Sequence, residues 1–174
     1  MLKILSGTFI VILTITVVIY AVGLRKGPEV QAEIDVRLNF SREYIFDLIT
    51  NVEMCPERKR NLDTIEILER RGSIIVAWRE NYKGGDWRSL RILEKNTPKN
   101  FTYEIFESKS GYTSTISYTV VETTDFTNVI IKEDGQIPGT FARGLRGVMT
   151  DDSFLDKQAK WLRVAIQREL IERE

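Results

Sequence analysis

The chain has no histidine, and that one absence removes a large share of enzyme chemistry. Without imidazole there is no His-based triad, no His general base poised near neutral pH and no His-rich metal site. A single cysteine, Cys55, excludes an intrachain disulfide and favours a reducing compartment. Net charge is lacking too, since 25 Lys and Arg balance 25 Asp and Glu. The balance is uneven along the chain, because Lys3, Arg25 and Lys26 precede the first acidic residue, Glu29. The remainder is mildly acidic and lacks the concentrated basic surface that nucleic acid demands, so nucleic acid is excluded as a partner. Gly139, Gly144 and Gly147 form no phosphate loop, because the Lys-Ser/Thr that reaches phosphate and metal is missing. They read as turn and close-packing positions. No internal repeat or low-complexity tract is present, and no residue set calls for a metal or a cofactor.

One long apolar run is present, at the N-terminus. Ile4 to Leu24 carries no charge, and its length as a helix suffices to cross roughly 30 Å of hydrocarbon. Lys3 precedes it, Arg25-Lys26 follow, and Tyr20 lies near one interface. The expectation is a single-pass anchor over residues 1–28. A cleaved signal peptide is the alternative, with Ala21-Val22-Gly23 as its small-residue site, but its apolar core is usually shorter. The flanking charges nearly cancel, and Cys55 tips the soluble domain toward the cytoplasm. Asn39-Phe40-Ser41 and Asn100-Phe101-Thr102 match a glycosylation acceptor that matters only in a eukaryotic secretory lumen.

Gly27-Pro28 separates this run from a domain over residues 29–174, because Pro disfavours helix in the residue before it. Val30, Ala32, Ile34, Val36 and Leu38 alternate with polar residues, which predicts a half-buried strand. Ser41 predicts a helix N-cap ahead of Tyr44, Ile45, Leu48 and Ile49, with Asn51 at its end. A short helical or irregular piece follows at Pro56 to Arg60. Strands are then expected at Thr64–Glu69, Ser73–Asn81, Asp86–Glu94, from Phe101, from Tyr112 to Val120 and at Phe126–Asp134, with turns at Gly84-Gly85 and Thr97–Asn100. The inward face of the last strand stays open, since both parities carry apolar residues. Phe141, Leu145 and Val148 then recur at helical spacing.

The final stretch, Asp152 to about Ile171, puts Phe154, Leu155, Trp161, Leu162, Ala165, Ile166 and Leu170 on one helical face. Lys157, Lys160, Arg163, Gln167 and Arg168 take the other, and Asp151 or Asp152 is placed to cap the start. A helix with one apolar face needs cover, and so do strands with one apolar face. The economical solution is an α+β fold, a curved antiparallel sheet of about seven strands closing around this helix.

That order of elements resembles the START-like or SRPBCC superfamily, the helix-grip fold. More narrowly it looks like the bacterial polyketide cyclase/dehydrase-type group, which includes members with one N-terminal transmembrane segment. The resemblance rests on VQAEIDVRLNFSREYIFDLITNVEMCPER (Val30–Arg58), Arg91-Ile92-Leu93-Glu94, the Pro98 turn, Phe101-Thr102-Tyr103-Glu104 and the closing helix at Trp161-Leu162. It covers about residues 30–171 and specifies fold better than function. Arg58 stands where the family often has Trp, which puts the pocket mouth near Met54–Arg60 in question.

The resemblance implies a cavity between sheet and helix for a lipid, sterol, quinone or aromatic polyketide. The residues agree in kind, since Trp78, Tyr103 and Tyr118 share a face, Trp161 faces them, and rings with polar tips suit an apolar pocket that orients one polar group. The ligand-binding set is Val76, Trp78, Tyr103, Ile116, Tyr118, Trp161 and Ala165, against the plainer reading that these side chains fill the core. Glu80 is the acidic residue on the Trp78 face and the weak candidate for acid or base catalysis, with a solvated carboxylate near a strand end as its alternative. Arg91 is the cation that would pair with it or with an anionic ligand. Glu57-Arg58-Lys59-Arg60 and Arg70-Arg71 would touch anionic headgroups or simply be solvated. The expected function is a monomeric, membrane-anchored binding or carrier domain for a hydrophobic small molecule. A cyclase/dehydrase-type enzyme and a membrane-tethered regulatory interaction domain are the alternatives.

Overall fold

The structure, a computed structural model, describes residues 2–55, 59, 61–148 and 154–171, without the side chains of 2–10, 154 and 168–171. The expected caps at Asp151 or Asp152, the piece at Pro56–Arg60 apart from Lys59, and the side chains of Phe154, Arg168 and Leu170 lie outside it. The elements are α1 (Leu2–Arg25), β1 (Glu29–Leu38), α2 (Arg42–Thr50), β2 (Leu62–Arg71), β3 (Ile74–Tyr82), β4 (Asp86–Asn96), β5 (Asn100–Ser108), β6 (Thr113–Glu122), β7 (Thr127–Gln136), α3 (Thr140–Val148) and α4 (Phe154–Ile171). One antiparallel seven-stranded sheet runs in the order β1-β7-β6-β5-β4-β3-β2. With α4 against it, the fold is helix-grip-like α+β.

Local chemistry accounts for most of these elements. The alternation in β1 becomes a strand with Gln31, Glu33, Asp35 and Arg37 exposed and Val36 and Leu38 buried. Ser41 caps α2 by accepting from the Tyr44 amide, and the helix then buries Ile45, Phe46, Leu48 and Ile49. Gly84 and Gly85 both take positive φ, 98° and 77°, which turns the β3–β4 hairpin where a side chain would strain the backbone. The inward face of β7, open in the sequence, carries Val129, Ile131, Glu133 and Gly135. β7 lies between β1 and β6, so its outward Ile130 is also half-covered, and the alternation is blurred for that reason.

Along α4, Leu155, Ala159, Leu162, Ala165 and Ile166 are buried, while Lys157, Lys160, Arg163 and Gln167 are exposed. Each buried Leu or Ile side chain here contributes about 1.5–3 kcal/mol. Trp161 sits half-buried at the margin of this stripe, and Gln158, which the apolar periodicity passed over, is buried within it.

α1 and α3 touch through glycine. A methyl group on Gly144 would overlap the Ile19 carbonyl oxygen, and one on Gly23 would overlap that of Thr140. A methyl on Gly147 would stand 2.8 Å from Val22 Cγ1. Arg143 on α3 donates from Nε to the Gly23 carbonyl at 3.2 Å, a cation on one of the last carbonyls of α1. Ile137 N donates to Pro28 O at 2.8 Å, joining the connection before β1 to the one before α3. Apart from the stripe that meets α3, the described side chains of α1 are largely exposed and apolar, including Val11, Ile12, Leu13, Ile15, Val17 and Val18. Among the described residues, no helix is long and apolar enough to cross a membrane.

Candidate functional site

Between the sheet and α4 lies a cavity whose lining includes five aromatic rings. Trp78 of β3, Phe101 and Tyr103 of β5 and Tyr118 of β6 lie on one face of the sheet because alternation puts them there. Their rings lean on one another, with Trp78–Tyr103 centroids 6.1 Å apart and Tyr103–Tyr118 also 6.1 Å apart. Trp161 and Gln158 close the space from α4, and Ile49, Val52, Cys55 and Lys59 from α2 and the segment after it. The cavity volume is about 20 Å³. The space expected between a curved sheet and one helix is largely taken by these side chains, as native packing density requires.

The cavity has a charged corner. Glu80 on β3 has no exposed surface and receives Lys59 Nζ at 2.7 Å, Arg88 Nε at 2.7 Å and the Tyr82 hydroxyl. Strand geometry builds most of this, since Arg88 of β4 is the cross-strand neighbour of Glu80 and Tyr82 lies two residues further along the same face. Burial by itself would raise the Glu80 carboxyl, but the Arg88 guanidinium and the Lys59 ammonium overcome it and hold the carboxyl well below the usual range. Lys59 is raised, because Glu80 outweighs the burial that opposes its charge. Burial and then Glu80 push the Tyr82 hydroxyl up. Lys59 also lies 5.3 Å from the centre of the Trp161 ring, a cation over an aromatic face.

Polar tips are divided between used and unused. Tyr118 donates its hydroxyl to Gln158 Oε1 at 3.2 Å, and burial followed by Tyr103 raises it well above its ordinary value. Its hydroxyl is therefore engaged within the protein rather than held out for a ligand. By contrast the indole Nε1 atoms of Trp78 and Trp161 are buried without a hydrogen-bond partner.

The structure brings together Trp78, Tyr103, Tyr118 and Trp161 from the expected set, with Glu80 beside them. Ile116 and Ala165 are core residues away from the cavity, and Val76 is half-buried and does not line it. Two expectations for the charges are corrected. Glu80 is buried and paired rather than solvated at a strand end, because Lys59, Arg88 and Tyr82 enclose it. Arg91 does not reach it, since β4 alternation turns Arg91 outward to Glu104 while Arg88 points in. Sequence reasoning missed Lys59, Tyr82, Arg88 and Gln158. For Arg88 the signal was available, because the Gly84-Gly85 hairpin sets it opposite Glu80. Lys59 arrives from a charged segment that reads as solvated. Among the described residues, no group of Cys, Asp and Glu could hold a metal ion.

A second buried carboxylate lies on β7. Glu133 receives the hydroxyl of Tyr112 and Arg146 NH2 of α3 at 3.1 Å. Burial and this hydrogen bond raise the Tyr112 hydroxyl.

Next to the cavity is an open groove of about 200 Å³ between the end of α2 and strands β3 and β4. Val52, Ile74, Ile75 and Ile92 line it together with the polar Thr50, Asn51, Glu53, Ser73 and Lys95, and Val52 lines both spaces.

No protein-family model matches the chain, and no curated protein matches it by sequence. Solved structures do. A START superfamily protein from Mycobacterium smegmatis superposes with a TM-score of 0.59 at 17% identity, covering 79% of this chain and 97% of that one. Major latex-like protein 151 from Panax ginseng gives 0.63 at 14% identity over 82% and 98%. The Zhui aromatase/cyclase from Streptomyces sp. R1128 gives 0.62 at 14% identity over 80% and 95%. At these identities the likeness is one of fold, and the fold of this chain is the helix-grip fold that these proteins share.

Proposed function

We propose that the chain binds an apolar small molecule between its sheet and α4, as a carrier or binding domain rather than an enzyme. The observation that carries this reading is the convergence of five aromatic rings with Lys59, Glu80 and Gln158 between sheet and α4, a lining of the kind small-molecule sites have, although at about 20 Å³ the space must widen to take a ligand. Neighbours of the same fold include a START superfamily protein and an aromatase/cyclase, which is compatible with a ligand of this kind. Glu80 is a poor candidate for acid catalysis, because Arg88 and Lys59 hold its carboxyl low, and a poor candidate for base catalysis, because both its oxygens are already occupied by Lys59, Arg88 and Tyr82.

Although no described helix is long and apolar enough to cross a membrane, the uncharged run Ile4–Leu24 is the basis for a further part of the proposal, a tether to the bilayer over residues 1–28 with residues 29–174 as a monomeric binding domain on the cytoplasmic side. A tether beside such a site would gather ligands that partition into lipid. Native mass spectrometry of the full chain extracted from its own cells tests the function. A co-purifying apolar molecule is expected, and protein that carries none and takes up no added apolar probe would overturn it. Carbonate washing of membranes tests the tether, which is abandoned if the full chain is released or its mature N-terminus is Leu24.

A further inference from the structure

The polarity of α3 is reversed from that of a helix facing water. Phe141, Leu145 and Val148 stand at helical spacing on one side and are 47%, 38% and 47% exposed. Its two cations turn the other way. Arg143 donates to the carbonyls of Gly23, Ile137 and Pro138, and Arg146 reaches the buried Glu133. Gly144 and Gly147 take a third side, against α1. A water-facing helix shows its charges and hides its large apolar residues, so the outer side of α3 is built for a different surface.

The neighbourhood of that side indicates which surface. A methyl group on Gly147 would stand 2.8 Å from Val22 Cγ1 and 3.1 Å from Lys26 Cε, and one on Gly144 would overlap the Ile19 carbonyl. α3 therefore meets the C-terminal end of α1, where Arg25 and Lys26 are exposed. Tyr20 and Leu24 at that end are exposed as well, so further apolar surface lies beside α3. Neither helix contains an Asp or a Glu, in a chain that has 25 of them. Apolar side chains with cations next to them and no carboxylates match a bilayer surface, whose anionic headgroups attract the one charge and repel the other. Contact with a second copy of the chain gives no reason for carboxylates to be missing from both helices.

Resting on the tether reading in so far as α1 enters lipid, we propose that α3 is an interfacial membrane helix. Phe141, Leu145 and Val148 sink into the boundary between headgroups and acyl chains, and Arg25 and Lys26 meet anionic headgroups beside them. Arg143 and Arg146 join the helix to the rest of the protein, so the sheet is set down on the bilayer in one orientation rather than swinging from Gly27-Pro28.

Spin labels on the full chain test this placement. Phe141→Cys, Leu145→Cys and Val148→Cys are made singly, and Leu93→Cys, at an exposed leucine on the sheet, is the control. Buried Cys55 stays in place, and the unaltered chain gives its background. Each labelled chain is reconstituted into vesicles of phosphatidylcholine and phosphatidylglycerol, and flotation on a density gradient shows whether lipid holds it. Collisions of the label with oxygen, which concentrates among acyl chains, are compared with collisions with a water-soluble nickel chelate. The three α3 labels are expected to favour oxygen and to lose chelate access, whereas the Leu93→Cys label favours the chelate. Three separate positions keep the test open if one variant does not fold. A chain that floats while its α3 labels read like the control keeps the tether and overturns the interfacial helix. α3 labels shielded from both collision partners mean that protein covers this side, and they overturn it too. A chain that does not float loses the tether and the interfacial helix together.

Discussion

The two buried carboxylates of this sheet are built from the same side-chain types for different ends. Glu80 and Glu133 are both almost wholly enclosed, and each receives a tyrosine hydroxyl and an arginine. Around Glu80 the arginine comes from the adjacent strand, a second cation comes from Lys59, and the aromatic cavity borders it. Around Glu133 the single described cation, Arg146, comes from α3, the helix whose glycines meet α1. Glu80 thus fixes the interior of the sheet, and Glu133 fixes the helical cover to its end. An isolated buried charge is expensive, so each carboxylate constrains whichever element supplies its cation.

Removing those cations should separate the two sites. Arg88→Met leaves Glu80 buried with Lys59 alone and is expected to cost about 3–5 kcal/mol in urea melts. Arg146→Met should cost less, about 1.5–3 kcal/mol, because the Arg146 side chain is 32% exposed and its pair is partly screened. Equal losses would mean that the exposure difference has no energetic consequence.

Glycine tests the α1–α3 side of the comparison. Gly144→Ala places a methyl group on the Ile19 carbonyl, so the helices must separate, at about 1–3 kcal/mol. Gly27→Ala meets nothing within 4 Å and serves as the control. A melt in which both variants match the parent would show that α1 and α3 do not pack as described.

Acid should act through Glu80. Its folded carboxyl lies below the unfolded one, which titrates near pH ~4.3, so its contribution is complete above about pH 5. It is lost as pH falls from there toward the folded value. The stability advantage of the parent over Glu80→Gln is therefore expected to shrink by about 1–2 kcal/mol between about pH 5.5 and 3. An advantage independent of pH over that range would contradict the pairing.

The smallest effect concerns the cavity wall. Tyr118→Phe removes the hydrogen bond to Gln158 and should cost about 0.5–1.5 kcal/mol in stability. A melt indistinguishable from that of the parent would show that this hydrogen bond contributes nothing to the fold.

What the sequence determined by itself was whatever has a short period or a local signal. Alternation in β1, β5 and β6, the Ser41 cap, the Gly84-Gly85 turn and the helical stripe of α4 are set by neighbours within a few residues, and each appears where its pattern lies. The same alternation placed Trp78, Tyr103 and Tyr118 on one face, and the α4 period brought Trp161 to meet them. Tertiary structure decided everything that depends on which distant element comes alongside. Whether Glu80 is solvated or buried depends on Lys59, 21 residues away along the chain, and the inward face of β7 depends on its place between β1 and β6. The glycines of α3 declare their purpose only against α1, more than a hundred residues earlier. Cavity size belongs to the same class, because volume is what remains after every side chain has packed, and no period along the chain encodes that remainder.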